Sequence, residues 1–362
     1  MPRIIGIDPG TVSIDVCGIE DGRVFLERSV PTAEALAAPD TLLALLDSAA
    51  PLDLVAGPSG YGLPLVAAGD ATETDLRLAC LAAPGEHGGI GGLRSLMRLL
   101  GRAAAPVMFT PGVIHLASVP AHRKVNRIDM GTADKVCATA LAIREYADRH
   151  TCRVGEVSLV MLELGGAFTA AIGVENGRIV DGLGGTSGPL GVRASGALDG
   201  EVAFLAGTVS KAMLFDGGAA AVAGTPDAPA ETLATPTTAS GRLAWHAYVE
   251  SVVKAALAVS VASPHAREVI LSGRLARVAG VRDEFARRLA RLNGGATMHV
   301  LSGFAAVSKQ AAQGAALLAD GLAGGASADL VDTLGIREAS GTVLDYLYVI
   351  SPGTAKARLG IQ

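Results

Sequence analysis

The sequence predicts a mixed α/β chain built from two copies of one domain plan, and three observations support this. The N-terminus reads as strand, tight glycine turn, strand and Asp-Gly hairpin. The same order returns roughly 150 residues later, about one domain length. Around the two copies, short apolar strands alternate with helical periodicity, the pattern of sheets packed against helices.

The first copy is Ile4-Ile5-Gly6-Ile7-Asp8-Pro9-Gly10-Thr11, then Val16-Cys17-Gly18-Ile19 and the turn Glu20-Asp21-Gly22. Apolar runs bounded by turn residues read as strands, and Asp-Gly between them reads as a hairpin. Asp8 puts a charge at a strand end, and Gly10 lets the backbone approach a ligand closely. Such a hairpin can hold nucleotide phosphates together with a metal. An ordinary hairpin with a turn-stabilising aspartate carries the same residues.

The second copy tilts the balance towards phosphate binding. Val157 to Leu164 is a second apolar strand, Gly165-Gly166 follow, and Ala167 to Val174 is the next strand. Glu175-Asn176-Gly177 then turns into Arg178-Ile179-Val180-Asp181-Gly182. Elsewhere in the first half, helices are expected over Thr41–Ala49, Leu93–Leu100 and Asp134–Arg149, the last with Thr132 as N-cap. Strands are expected over Leu52–Gly57 and Ala105–Thr110. In the second half, a Gly-rich loop (Gly182 to Gly200) leads to a helix from Glu201. Gly217 to Ser240 lacks periodicity and reads as an exposed loop. Helices follow over Leu243–Val261, Val281–Leu292 and Lys309–Leu322, with a strand Glu268–Gly273 among them.

Composition narrows the function classes. The chain has 362 residues, enough for two domains with full cores. Half of the residues are hydrophobic, mostly Ala, Val and Leu, without an unbroken apolar run long enough for a transmembrane helix. Met-Pro-Arg runs at once into a strand, so no signal peptide is expected. The four cysteines (Cys17, Cys80, Cys137, Cys152) form no CxxC pair and suit a reducing compartment. The expected location is therefore cytoplasmic. A net charge of -5 gives no basic footprint, and 4% aromatic content gives few stacking platforms, so nucleic acid is not an expected partner. The expected partners are a nucleotide and a small-molecule substrate, without a membrane, in a homodimer.

A duplicated domain with one such hairpin in each half resembles the actin, sugar kinase and Hsp70 superfamily. That resemblance implies two ribonuclease-H-like (actin-like ATPase) domains, residues 1–150 and 151–362, with a cleft between them. It also implies ATP and Mg²⁺. Asp8, Gly10 and Thr11 would then serve the nucleotide from the first hairpin, Asp8 placing Mg²⁺ through water. Gly165 and Gly166 would bring backbone N–H groups to the phosphates. Ser272-Gly273 matches the small-residue turn under the adenosine only in part, because Arg274 stands where a second glycine is usual. Gln313-Gly314-Ala315-Ala316 resembles the late Ala/Gly helix near the adenosine, which makes Gly314 a nucleotide-site candidate.

The loop Gly188-Pro189-Leu190-Gly191-Val192-Arg193-Ala194-Ser195-Gly196-Ala197-Leu198-Asp199 is similar to the acetate kinase pattern of a Pro-Leu pair, Arg-Ser-Gly and an acid. Leu164 to Asp181 resembles butyrate kinase. Taken whole, and notably over Lys124-Val125-Asn126-Arg127-Ile128-Asp129-Met130-Gly131-Thr132-Ala133-Asp134-Lys135, the chain resembles a prokaryotic family of predicted butyrate kinases. Arg193 is the first catalytic candidate: a guanidinium can grip a transferring phosphoryl group bidentately. Three acyl-kinase groups are missing. Thr110 stands where those enzymes carry an aspartate, Asp129-Met130-Gly131 where they carry a histidine, and Gly303 to Ala306 hold no acid. The polar stretch Arg123 to Lys135 offers Asp129, Asp134 and Lys135 as replacements, Asp129 as metal ligand or base and Lys135 as a phosphate contact. A solvated turn with Asp134 at a helix start would look the same. His87, His115 and His122 show no metal spacing and are expected at the surface or in caps.

The expected activity is therefore ATP-dependent phosphotransfer to a small carboxylate or other small metabolite. The alternatives are an ATP-binding switch or weak ATPase working through a protein partner, or another group transfer on the same scaffold.

Overall fold

In a computed structural model, which describes residues 2–81, 83–84 and 90–361, the N-terminal pattern forms as expected. β1 (Arg3–Pro9), β2 (Ser13–Glu20) and β3 (Arg23–Pro31) make an antiparallel meander. β4 (Leu54–Pro58) pairs with β1 in parallel, followed by β5 (Val66–Ala67) and β6 (Val107–Thr110), giving the order β3-β2-β1-β4-β6-β5. The second sheet contains β7 (Leu159–Leu164), β8 (Thr169–Glu175), β9 (Arg178–Leu183), β10 (Glu268–Ser272) and β11 (Thr297–Val300). Its order is β11-β10-β7-β8-β9, again an antiparallel meander extended by parallel strands.

The likeness between the two meanders extends to local geometry. Asp21 and Gly22 have φ of 50° and 72°, and Asn176 and Gly177 have 52° and 72°. Two successive positive φ values are what a type I′ hairpin requires, and Asp-Gly and Asn-Gly supply them at low cost. The register also slips at the same place in each middle strand, between Gly18 and Ile19 and between Gly173 and Val174. Such a bulge sharpens the strand twist.

The chain divides into two compact units. Unit 1 comprises Met1–Ile128, Thr132–Gly155 and Ser302–Gln362; unit 2 comprises Asp129–Gly131 and Glu156–Leu301. This differs from a single boundary near residue 150, because the last 61 residues of the chain fold back into unit 1. The reason is the helix Gln310–Leu322, whose Ala/Gly face is buried. A Cβ at Gly6 in β1 would lie 2.2 Å from Ala312 O and Ala316 N of that helix. A Cβ at Gly314 would lie 1.8 Å from Cys137 O in the helix Ala133–His150. The two helices therefore meet backbone to backbone at Gly314, and the Gln310–Leu322 helix covers one face of β1. The other face belongs to a core that includes Ile5, Ile7, Val55, Met97 and Phe109. A strand covered on both faces reads as an unbroken apolar run, as Ile4 to Ile7 does.

Gly314→Ala is thus expected to destabilise unit 1 by about 3 kcal/mol, the upper end for overpacking, since backbone rather than a flexible side chain blocks the added methyl. Gly155→Ala, where a Cβ meets nothing within 4 Å, is the matched control. Equal urea midpoints for the two variants would refute the close approach.

In unit 2, Gly217 to Ser240 is exposed over most of its length, as expected, but it is not structureless. It contains the helix Ala219–Ala223 and a 3-10 turn Ala230–Ala234, and Ala219, Ala220, Ala230 and Leu233 join the core beside Tyr248 and Val252. Small alanines pack closely without producing a clear periodic stripe, so the sequence pattern hides the burial. Among the described residues, no helix is long and apolar enough to cross a membrane.

Candidate functional site

In open α/β sheets, ligands collect where strands end at their carboxyl side. In unit 1 those ends belong to β1, β4 and β6. Asp8 lies near the end of β1, buried, and is paired in register with Asp15 across the turn. The turn itself is tied down by Thr32, whose Oγ1 donates to Gly10 O at 2.7 Å. Thr11 is exposed at the tip.

Two groups that sequence reasoning missed complete this corner. Asp15 is 1% exposed and accepts from Ser13 Oγ at 2.7 Å. Lys309, the N-cap of the Gln310–Leu322 helix, pairs with Asp15 Oδ2 at 3.0 Å and donates to Ser13 O at 3.2 Å. Its ammonium would lie 2.7 Å from a Cβ placed on Gly10. Gly10 is thus the residue that admits Lys309 to the hairpin. The loop before Lys309 is fixed by Glu27, which accepts from Val307 N and Ser308 N at 3.0 and 3.3 Å. Those backbone donors hold the Glu27 carboxyl below the usual range. Upstream, Gln313 Oε1 accepts from Phe304 N and Ala305 N, and Glu145 accepts from Ser302 N and Gly303 N. These side chains occupy the backbone donors of the Gly303–Ala306 region, where an acid was sought.

The helix Ala133–His150 brings Asp134 and Lys135 to the same unit. Thr132 is its N-cap, but the hydroxyl donates to Asp134 Oδ1 instead of capping a backbone N–H. Asp134 pairs with Lys135 Nζ at 2.6 Å. Burial pushes the Asp134 carboxyl up, but the Lys135 ammonium, the Thr132 hydroxyl and a backbone N–H together outweigh it and hold the group low. One turn further on, Cys137 Sγ lies 3.6 Å from Thr110 Oγ1 at the end of β6. Burial pushes the Cys137 thiol up to about 12 against the Thr110 hydrogen bond, and the charges of Asp134 and Asp8 add to the push. Both carboxylates therefore act on one thiol. Asp8, Asp134 and Thr110 all belong to unit 1, and Thr110 contacts the thiol on which both carboxylates act.

Asp129 goes elsewhere. It belongs to unit 2, where its carboxylate accepts from Gly131 N (3.2 Å), Thr186 N (2.8 Å) and Thr186 Oγ1 (2.9 Å). Its carbonyl accepts from Gly184 N and Ser187 Oγ. With these donors in place, Asp129 staples the loop after β9 in unit 2. Gly314 is buried and faces Cys137 across a helix contact.

In unit 2, Gly165, Gly166, Ser272 and Gly273 do meet. Gly273 has φ of 87°, and a Cβ there would lie 2.5 Å from Leu164 O and 3.0 Å from Gly165 N. Ser272 pairs in register with Glu163, and its buried Oγ has no protein hydrogen-bond partner among the described residues. Arg274 flanks Gly166 and pairs with Glu231 at 3.5 Å. Arg193 is anchored to the same turn by its backbone. Arg193 N and Ala194 N both donate to Ala167 O, and Gly218 N donates to Arg193 O. The side chain is exposed, and no ion pair to it occurs among the described residues. A fixed backbone with a free guanidinium suits a residue that meets a ligand.

Of the lone histidines, His122 is exposed as expected, whereas His115 is buried. His87 lies outside the described residues. No trio of His, Cys, Asp and Glu able to hold a metal occurs among the described residues. Mg²⁺ keeps most of its waters and takes one or two carboxylates, so a site for it needs no such trio. Asp8 is the residue that would hold it.

Known structures share this architecture. A propionate kinase from Francisella tularensis subsp. tularensis SCHU S4 is 13% identical, covering 87% of this chain and 98% of its own, with a TM-score of 0.61. Acetate kinase from Entamoeba histolytica is 11% identical, covering 79% and 86%, with a TM-score of 0.58. Porphyromonas gingivalis acetate kinase is 13% identical, covering 87% and 98%, with a TM-score of 0.57. With its two sheets of matching order, the chain has the two-domain actin-like ATPase fold. No curated protein matches the sequence. A family model described as "Protein of unknown function (DUF1464)" matches residues 6–349, and the chain belongs to that family.

Proposed function

We propose that this protein is an ATP-dependent phosphotransferase that moves the γ-phosphate to a small carboxylate, with butyrate-like acyl acceptors the first to try. The observation that carries the reading is the unit 1 corner, where a glycine turn, a buried carboxylate and a lysine ammonium converge. Its fold is shared with solved acetate and propionate kinases. Gly10 and Thr11 would face the phosphates and Lys309 would meet their charge. Mg²⁺, held through water by Asp8, would neutralise charge on the phosphate oxygens. Arg193 would grip the transferring group, and Gly165, Gly166 and Gly273 would let backbone lie close to the nucleotide. No side-chain nucleophile is required, because positioning and charge stabilisation account for most of phosphoryl transfer.

A nucleotide-gated switch is the second reading, favoured by Thr110. Its buried hydroxyl donates to Gly57 O at 3.3 Å and supplies no acid. One experiment separates the two. ATP consumption should depend on one member of a panel of carboxylates and alcohols; slow ATP hydrolysis indifferent to the whole panel would favour the switch. Asp8→Ala should weaken Mg-ATP binding by about tenfold, the scale of one charge-assisted contact, and unchanged affinity by calorimetry would remove Asp8 from the metal role.

A further inference from the structure

In unit 2, the loop that carries Arg193 continues into a long excursion whose two ends are stitched together. Ala194 and Gly217 form an antiparallel bridge, and Gly218 N donates to Arg193 O at 2.8 Å. On the outgoing side, Ala197 N donates to Gly188 O at 3.0 Å. Between these fixed ends lie two short helices, Gly200–Ala206 and Lys211–Phe215, whose residues are all half-buried or exposed. Their caps are local: Asp199 accepts from Glu201 N and Val202 N, and Ser210 from Met213 N. Phe215 docks the second helix, its ring meeting Phe168 edge-on with centroids 4.9 Å apart. Phe168 follows Gly165-Gly166-Ala167 and fills the space beside Gly185, where a Cβ would stand 2.4 Å from the ring.

The first helix is held far less firmly. Phe204 is 78% exposed, Leu205 81% and Val202 50%. A helix of 7 residues is too short to hold itself in water, and most helical stability in proteins comes from packing an apolar face. Here the apolar side chains meet solvent instead. Glycines flank the helix: Gly200 opens it, and Gly207 is its C-cap with φ of 69°. A Cβ on either glycine would stand in open space. Segments with few buried apolar contacts open most readily, and ligand lids are drawn from them. This helix is thus an unpacked element on a fixed neck, rooted at an exposed arginine.

We propose that the Gly200–Ala206 helix is a flap that closes over a phosphoryl anion held by Arg193, with Phe204 and Leu205 shutting out water. The neck carries the argument. The excursion leaves and re-enters the folded part of unit 2 at the backbone of Arg193, so the helix swings from the residue whose side chain meets the ligand. The stretch from Ala197 to Gly200 reaches about 10 Å when extended, enough to pass over one side chain. Closure replaces water around the guanidinium with apolar side chains, which strengthens its hold on charged oxygens. It also keeps water from a phosphoryl group that awaits its acceptor. The flap rests on the phosphotransferase reading for its role, whereas closure itself needs only an anion at Arg193. A second copy of the chain is the rival cover for Phe204 and Leu205, and the test separates the two.

The test is amide hydrogen exchange read by mass spectrometry on the full chain, free, with saturating Mg-ATP and with saturating inorganic phosphate. Residues 200–207 should exchange fast in the free protein and slow by about tenfold or more with either probe. Phe204→Ser combined with Leu205→Ser should melt with the wild-type protein, because both side chains are exposed, and should lose most of that slowing. Arg193→Ala should lose the slowing caused by phosphate, because the anion is no longer held. Unchanged exchange at residues 200–207 with both probes overturns the flap, as does slowing that survives in the double variant. Slowing that follows protein concentration instead of ligand, with a matching rise in mass by light scattering, assigns Phe204 and Leu205 to a contact between copies and also overturns it. Mg-ATP affinity measured by calorimetry on the same sample decides the phosphotransferase reading separately. Firm Mg-ATP binding without slowing sinks the flap alone, whereas slowing by phosphate without Mg-ATP binding keeps the flap and sinks that reading.

Discussion

Replacing Arg193 with alanine should lower acceptor-dependent ATP turnover by roughly 10³-fold while leaving Mg-ATP affinity nearly unchanged. The argument starts from the backbone. Arg193 N and O are bonded to Ala167 and Gly218, and the neighbouring Gly191 has no room for a Cβ, which would meet Ala167 O at 2.3 Å. The loop is thus fixed to the turn that carries Gly165 and Gly166, and removing a side chain that projects from it should not disturb the fold. Arg193→Ala should therefore melt with the wild-type protein. The guanidinium makes no internal ion pair among the described residues, so the loss appears in turnover and not in stability. A planar fork stabilises charge that spreads over phosphoryl oxygens in the transition state, which is why kcat should fall more than KM rises. Arg193→Lys restores the charge without the fork and should recover only a small part of the rate. Turnover that survives in Arg193→Ala would remove this residue from the chemistry.

The two hairpins were legible because their turns need particular residues. Asp21-Gly22 and Asn176-Gly177 must adopt positive φ, and few other pairs do so cheaply. The membership of unit 1 was less legible. Ser302–Gln362 returns to β1 through an Ala/Gly helix whose close approach depends on the absence of side chains, and absence leaves a weak periodic signal. Burial of Ala219, Ala220 and Ala230 within Gly217 to Ser240 was hidden for the same reason.

Among the candidate residues, Asp8 and Arg193 stand out in the sequence because each interrupts a recognisable pattern. Asp129 is harder to read, because a carboxylate that staples a loop through Thr186 and one that binds metal look alike in a sequence. His115 looked like a surface histidine because one residue in a short loop carries no periodicity to reveal its burial. Asp15 and Lys309 did leave traces. Asp15 is a lone charge inside an apolar strand, and Lys309 places a cation at a helix N-terminus, where the dipole disfavours it. A residue that violates a local rule without an evident local gain is a candidate for function.

That violation leads to the second large effect. Lys309→Met should weaken Mg-ATP binding by about 10- to 100-fold, the scale of a charge-assisted phosphate contact. The difficulty is that Lys309 also partners Asp15, which is 1% exposed. Removing the lysine leaves a buried carboxylate with the Ser13 hydroxyl and the Lys309 backbone N–H as remaining donors. The variant should therefore also lose stability, and a binding defect alone would not identify the cause. The Lys309 side chain is 40% exposed, so its pairing energy is partly screened and the stability loss should be modest, about 1 kcal/mol. Asp15→Asn with Lys309→Met removes both charges and should return the melting midpoint towards that of the wild-type protein. If the lysine serves the nucleotide, the double variant remains defective in Mg-ATP binding. If it serves only Asp15, the double variant binds Mg-ATP normally, and the ammonium beside Gly10 is a structural counter-ion with no part in phosphate recognition.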